Sequence, residues 1–600
     1  MSDPRAVVPV YSASRWVLAA FAGISCVLYL LMPRIAQGLA LATPSFLSEV
    51  FPWVSPINRD TLVRIHEAGG LFFSAFVFAA VNVALFAIYL LALRAVRTGR
   101  DPCGPMFIIG SGVVFLGIHL FSPVLLSSDV YSYALYGRML SVYGVSPYIE
   151  NLAFAATDPF ANFVGDRYLP SWYGPLWSLV SAGITHVTGE HMGLTVLVFR
   201  CFGLCLAIAI AVLIRQILLR IEPRHTALGV LLFLWNPLVV LETGFSAHND
   251  MFMLIFVMLA VWLHLRGWKT AAVLALTLSA LVKFLTGMLL PLYLLLVLRE
   301  LPAWRERWKF LLLSIGGAAL VSLPIVVLSK SSAGSPTSQA VISVAFYDNN
   351  FHELIFKGLR RVLGEDAVSV SQRIYFQGWW SAAKGEAEFR EEATGGGSAV
   401  SRLRPGSRVL VIANPSTEQA RVYNPETRSI GQVNLNLFED SDRPAQAAGD
   451  PMLIEYERMV KDRRLPKTAN AWIRAVTWLL FAAFGLLAAR RTTNLKQFLV
   501  WSAAALLTSI FLIITEIWPW YENWALVLGA LAPDRLPARF AVILSACVPS
   551  LYITIGFQGS DFPWIYSLRS LPAFVLPLFI FLALLVLKAV RRPLNNAGNP

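Results

Sequence analysis

The chain has 600 residues, 56% of them hydrophobic and only 14% charged, with a formal net charge of +13 and a mean hydropathy of +0.61. A chain this apolar is not a set of soluble domains and reads as a polytopic membrane protein. Its Lys and Arg residues fall in short clusters between apolar runs, a pattern that records membrane topology and excludes nucleic acid as the reason for the basic charge.

The first apolar run, Trp16 to Met32, follows Arg5 and Arg15 and looks like a signal sequence. Ala40-Leu41-Ala42 is a weak cleavage match, so an uncleaved first spanning helix is expected. Spanning helices are then predicted near 16–33, 69–95, 106–126, 194–219, 226–244, 249–265, 270–283, 284–298, 310–329, 471–489, 497–515, 520–532, 538–557 and 571–590. Fourteen crossings put both termini on one side. With the N terminus cytoplasmic, Arg94, Arg97 and Arg100, then Arg215, Arg220 and Arg224, then Arg299, Arg305 and Arg307, and finally Arg490, Arg491 and Lys496 all fall inside, as the positive-inside rule requires.

The runs 249–265, 270–283, 284–298 and 520–532 are too short to cross ~30 Å of hydrocarbon at about 1.5 Å per residue. Broken or partial helices are expected there, and such breaks are tolerated where they are buried or line a cavity. A further apolar piece, 173–187, would spoil the charge alternation if it spanned, and is placed with 129–170 in one long outer loop. The expected organisation is an N-terminal membrane region 1–329 with a catalytic outer loop 127–193, an extracytoplasmic insertion 330–470, and C-terminal membrane helices 471–600.

Four of the five cysteines, Cys26, Cys201, Cys205 and Cys547, sit inside apolar runs and Cys103 in a short basic loop, so no structural disulfide or metal cluster is expected. The insertion opens with an amphipathic stretch, Phe351, Leu354, Ile355, Leu359 and Val362, suited to a membrane surface. After a Gly-Gly-Gly linker at 395–397, the segments Arg408 to Ala413 and Gln419 to Tyr423 read as short strands joined by an Asn-Pro turn, giving a small α+β domain.

Ionisable and aromatic residues gather at the ends of apolar runs that the topology places on the outer side. Asp129, Tyr131, Tyr133 and Arg138 follow the third run; Glu242, His248, Asn249 and Asp250 lie between two runs; Lys283 separates two short ones; Glu516 and Glu522 flank Trp518-Pro519-Trp520-Tyr521. Each has an ordinary structural explanation: Asp129 as a helix cap, Arg138 and Lys283 as snorkelling cations, His248-Asn249 as a tight turn, the tyrosines and Trp172-Tyr173 as an interfacial belt. Burying ionisable groups costs roughly 2.5–3.5 kcal/mol each on insertion scales, so their coincidence on one face points to a shared polar cavity.

Four pieces carry a resemblance: Ser128-Asp129-Val130-Tyr131-Ser132-Tyr133 with Gly137-Arg138 and Ser146-Pro147-Tyr148; Tyr173-Gly174-Pro175-Leu176; Asn236-Pro237-Leu238 with His248-Asn249-Asp250; and Ala280-Leu281-Val282-Lys283-Phe284. On these the chain resembles glycosyltransferases of the GT-C superfamily, most closely the bacterial polyprenol-phosphate-mannose-dependent α-(1→6)-mannosyltransferases. The likeness covers roughly 120–300 and, more loosely, Trp518 to Tyr521, and leaves 330–470 outside it. It implies a GT-C-like, all-α polytopic fold of about fourteen membrane helices, some partial, in the plasma membrane, with the active site extracytoplasmic. It further implies transfer of a sugar, mannose first, from a polyprenyl-phosphate donor to a glycan or glycolipid acceptor, with inversion.

In that frame Asp129 is the candidate base and Asp250 the second choice. Arg138, Lys283 and His248 are candidates for the donor phosphate, and Tyr131, Tyr133, Trp172, Tyr173, Asn249 and Glu516 for sugar or acceptor. No metal and no cofactor is required, because cations can meet a monophosphate leaving group. Two rival readings remain: a transporter or lipid flippase, which should show paired half-repeats and polar groups spread through the membrane's depth, and a non-catalytic scaffold with 330–470 as its binding module, which would tolerate loss of Asp129.

Overall fold

The computed structural model describes residues 15–38, 70–98, 104–124, 126–148, 158–164, 171, 173–329, 339–345, 373–391, 399–413, 419–424, 429–438, 467–514, 517–557, 565 and 568–596. Two compact units divide the chain, one drawn from 1–137, 173–329 and 476–600, the other from 138–172 and 330–475.

The first unit is helical and belongs to a multi-pass membrane protein. Helices α1 (Arg15–Gly38), α2 (Gly70–Arg97), α3 (Pro105–Ile118), α4 (Asp129–Ser141), α5 (Pro175–Thr188) and α6 (Met192–Ile221) are followed by α7 (Thr226–Leu234) and the single turn α8 (Pro237–Val240), which runs into a π-turn at Leu241–Phe245. Next come α9 (Asp250–Leu265), α10 (Lys269–Val282), α11 (Leu289–Glu300) and α12 (Trp304–Ser329), then α13 (Lys467–Arg491), α14 (Leu495–Leu512), α15 (Asn523–Ala530), α16 (Leu536–Cys547), α17 (Ser550–Gly556) and α18 (Leu576–Asn596). Among the described residues six helical stretches are long and apolar enough to cross a bilayer, and α7 with α8 makes a seventh span bent by 52°. Most of the other runs form shorter or interrupted helices, 16 residues in α9, 14 in α10, 12 in α11 and 8 in α15.

The interruptions have local causes. Pro237 has no N–H to continue α7, and Asn236 caps the restart by accepting from the Leu238 N–H at 2.9 Å. Lys283 is extended, at φ −143° and ψ 121°, between α10 and a 3₁₀ turn at Phe284–Met288. The 106–126 run ends as a helix at Ile118, and 520–532 begins as a 3₁₀ turn at Pro519–Glu522.

Two glycines let backbones meet. A Cβ on Gly137 of α4 would lie 2.5 Å from the Ser181 carbonyl oxygen in α5, and one on Gly174 would lie 2.0 Å from the Leu281 oxygen. The Gly174 N–H donates to the Val282 carbonyl at 2.9 Å, so the start of α5 is fastened to the break after α10. Arg200 of α6 is fully buried. Its guanidinium donates to the carbonyls of Leu120 (3.2 Å), Ser122, Pro123 (3.3 Å) and Phe245 (2.6 Å), gathering the chain after α3 and the end of the π-turn.

Helix α12 is barely covered within the protein, with Leu312, Leu313, Ile315, Leu320 and Leu323 exposed. An apolar helix left bare in this way is suited to lipid contact.

The second unit carries a seven-stranded antiparallel sheet: β1 (Gln339–Ala345), β2 (Arg373–Ala382), β3 (Ala387–Glu391), β4 (Ala399–Leu403), β5 (Arg408–Ala413), β6 (Gln419–Asn424) and β7 (Ser429–Asn434), in the order β1-β2-β5-β6-β7-β3-β4. The strands read from sequence at 408–413 and 419–423 are β5 and β6. Alternation puts Val409, Val411, Ala420, Val422, Val433 and Phe389 into one apolar core. The amphipathic stretch 351–362 and the Gly395–Gly397 linker lie outside the described residues.

The close approach at Gly174 generates a paired prediction. Gly174→Ala should destabilise the detergent-purified protein by about 1–3 kcal/mol, as overpacking against backbone does. Gly183→Ala, mid-helix in α5 with nothing within 4 Å of the new Cβ, should stabilise it by about 0.5–1 kcal/mol. Thermal unfolding of the two variants checks both signs.

Candidate active site

The polar residues of the first unit assemble around two carboxylates. Asp129 is the first residue of α4, and its N–H donates to the Ser127 hydroxyl at 3.3 Å. Its Oδ2 accepts from the Tyr173 hydroxyl at 2.9 Å and the Tyr133 hydroxyl at 3.4 Å, and lies 3.6 Å from His248 Nδ1. The Asp129 side chain is 26% exposed, so solvent or a substrate hydroxyl can reach it. Burial first, and then the Asp129 charge, raise the Tyr173 phenol well above its ordinary value, so it stays protonated and donates.

Asp250, the first residue of α9, is the more enclosed acid at 1% exposure. Its Oδ1 accepts from Lys283 Nζ at 2.8 Å and from the Trp524 indole N–H, while Oδ2 has no partner among the described residues. Lys283 also sits 5.6 and 5.7 Å from the ring centres of Tyr521 and Trp524. The extended backbone at the α10 break thus delivers the lysine to Asp250.

His248 stands between carboxylates. Its Nε2 is 3.3 Å from Glu242 Oε2, its Nδ1 faces Asp129, and its ring stacks on Trp520 with centroids 3.7 Å apart. Burial, and secondarily the Lys283 charge, push its pKa well below the usual 6.5, so at neutral pH the imidazole is uncharged and offers a phosphate no cation. Glu242 accepts from the Tyr552 hydroxyl through both oxygens, at 2.8 and 3.0 Å. Ala247, just before His248, has φ 59°, the one non-glycine residue in the left-handed region among the described residues. Trp518, half-buried, stacks on Trp520.

The other sequence candidates take varied places. Tyr131 and Tyr133 are buried; Tyr133 packs edge-on against Tyr173 and Trp177, so it braces Asp129 from within. Asn249 is buried, its amide without a protein partner among the described residues. Arg138 lies in the second unit, donating through Nε to Asp158 at 2.7 Å and lying over the Phe160 ring, while Tyr143 also donates to Asp158 at 3.0 Å. Trp172 and Glu516 lie outside the described residues. Glu522 is buried, with neither oxygen bonded among the described residues.

Sequence reasoning missed Arg200, Asp158, Tyr552 and Trp524. Arg200 left a usable signal, since an arginine deep in the apolar 194–219 run has to find partners. Tyr552 and Trp524 left none, because aromatic residues are ordinary in such runs.

Fold and site define a class: an all-α multi-pass membrane protein with acids, a lysine and stacked aromatics collected at helix breaks. Residues 35–299 match the family model described as alpha-(1→6)-mannopyranosyltransferase, N-terminal domain. Alpha-(1→6)-mannopyranosyltransferase A of Mycobacterium tuberculosis is 28% identical over 234 residues, an alignment spanning 36% of this chain and 41% of that relative. No solved structure matches the chain. The likeness to the mannosyltransferase family is confined to this N-terminal region, which holds Asp129, His248, Asp250 and Lys283, and the alignment spans less than half the length of the curated relative.

The Lys283–Asp250 pair is buried enough to test by removal. Lys283→Met should cost about 3–5 kcal/mol by leaving a buried carboxylate uncompensated, and adding Asp250→Asn should recover most of that loss. Thermal unfolding of the single and double variants in detergent measures the recovery.

Proposed function

We propose that this protein is an integral membrane glycosyltransferase that moves mannose from a polyprenyl-phosphate donor to a glycan or glycolipid acceptor, with inversion at the anomeric carbon. Both termini are cytoplasmic and the site faces the outer side of the plasma membrane. The observation that carries the reading is Asp129: among the described residues the one carboxylate of the cluster open to solvent, oriented by Tyr173 and Tyr133, on a chain whose residues 35–299 match a mannosyltransferase family model.

In the reaction, the acceptor hydroxyl attacks the anomeric carbon from the side opposite the phosphate, and Asp129 takes its proton as the new C–O bond forms. The bond from the anomeric carbon to the phosphate oxygen breaks, and the phosphate leaves with the electron pair. Lys283 supplies positive charge for it, held ready by Asp250. Asp250 itself, bonded to Lys283 and Trp524, is less suited to be the base than Asp129. Half-buried Trp518 and Tyr521 offer ring area for the sugar or the first isoprene units. Arg138 is engaged by Asp158 and acts, in this reading, on the shape of the segment after α4. The 330–470 insertion takes no assigned step.

Membranes containing the full chain, given radiolabelled polyprenyl-phosphate mannose and octyl α-mannoside, should form a labelled disaccharide. Asp129→Asn should lower kcat by about 10²-fold or more, the range for loss of a general base. Asp250→Asn should be less severe if Asp129 is the base. Equal rates for wild type and Asp129→Asn would remove Asp129 from the role, and transfer from other polyprenyl-phosphate sugars but not from mannose would change the donor.

A further inference from the structure

Glu242 and Tyr552 have no part in the reaction as written, although they form a buried polar chain that ends at its base. Glu242 lies in the π-turn at Leu241–Phe245, and the main-chain N–H of His248 donates to the Glu242 carbonyl at 3.0 Å. The same two residues approach through their side chains, Nε2 to Oε2 at 3.3 Å, a charge contact without a formed hydrogen bond, so the carboxylate acts on the Nε2 proton through its charge. On the far side of the ring, Nδ1 meets the Tyr133 hydroxyl at 3.5 Å and Asp129 Oδ2 at 3.6 Å. Tyr552, from α17, clamps both oxygens of Glu242, and Trp520 covers the imidazole face. A carboxylate, an imidazole and a second carboxylate therefore stand in line, with only the last open to solvent. Burying Glu242 in this way is costly and stabilises nothing that an apolar residue would not, which argues for a role in positioning.

We propose that Glu242 is a positioning residue for the transfer reaction, holding His248 with its proton on Nε2 so that the Nδ1 lone pair faces Asp129 and receives the proton that Asp129 takes from the acceptor. This rests on the glycosyl-transfer reading above. The balance is simple. Asp129 carboxylate becomes the acid when the acceptor O–H breaks; the acid then returns to carboxylate as its proton bonds Nδ1, and the resulting imidazolium lies between two carboxylates. Release of that proton to water through Asp129 restores the start. The charged or titratable groups around His248 are Asp129 and Tyr133 from α4, Glu242 from the π-turn and Lys283 from the α10 break. Glu242 faces Tyr552 and His248, and the charges of Asp250 and Asp129 also act on it.

The test uses the full chain in membranes, the radiolabelled polyprenyl-phosphate mannose and octyl α-mannoside, and Glu242→Gln, which keeps the shape. Expected is a kcat lower by about tenfold or more with donor KM within about twofold. The acid limb of kcat, which reports the coupled Asp129–His248 pair, should move to lower pH because an anion that holds the proton has gone. Glu242→Gln combined with His248→Gln should be no slower than His248→Gln alone, the signature of residues acting as a unit. Wild-type kcat and an unmoved acid limb in Glu242→Gln would overturn the relay while leaving Asp129 as the base. Multiplication of the two single effects in the double variant would overturn it as well. A wild type that transfers no sugar from any polyprenyl-phosphate donor overturns the transfer reading and the relay with it. Should Glu242→Gln fail to accumulate, Tyr552→Phe decides: a loss of about threefold or more at unchanged donor KM supports the relay, and wild-type kcat overturns it.

Discussion

The buried guanidinium of Arg200 is the contact on which the rest of the site depends. It accepts nothing and donates to carbonyls from two separate stretches of chain, 120–123 and Phe245. Both stretches follow helical turns, where carbonyls are left without intrahelical partners and carry partial negative charge. Phe245 is three residues before His248, and Pro123 is six before Asp129. One side chain thus fixes the approach of the two segments that carry the facing imidazole and carboxylate. A lysine would bring a point charge with three rotating donors instead of a planar fork, and would leave carbonyls unmatched in an apolar interior.

A second fastening acts through backbone rather than charge. Gly174 meets the end of α10 so closely that no side chain fits, and the contact sits one residue after Tyr173 and one before the start of α5. It therefore couples the hydroxyl that orients Asp129 to the break that delivers Lys283. The base and the cation come from different helices, and the main-chain hydrogen bond between Gly174 and Val282 is one of the ties between their segments. Such short-range fastening suits a site whose elements are interrupted helices, because each interruption gives up regular backbone bonding and must be held by its neighbours.

Much of this was legible in the sequence because membranes impose simple rules. Apolar length gave the helices and their unusually short members, and proline at 237 and 519 gave two of the breaks. Ionisable residues beside apolar runs gave Asp129, His248, Asp250 and Lys283, which the structure brings together. Strand alternation in β5 and β6 was visible for the same reason that it is elsewhere, one face being buried. The partnerships were not legible. Tyr552 and Glu242 are 310 residues apart, and Trp524 and Asp250 are 274 apart, so nothing local links them. Asp158 stands 20 residues from Arg138, too far for any local spacing rule to pair the two. The runs at 249–265, 270–283, 284–298 and 520–532 are legible as too short to span, and they fold as the short or interrupted helices expected, with broken ends that hold the site.

Ala247 carries one more consequence. Left-handed backbone at a non-glycine residue stores on the order of 1–3 kcal/mol, and it persists here because the turn on either side is pinned. The position consequently acts as a filter on sequence drift in the turn. Glycine or asparagine enters at little steric expense, while valine, isoleucine or threonine, with two heavy branches on Cβ, is shut out. A lineage that crossed that filter would swing the next residue, the histidine, off its axis without ever touching it.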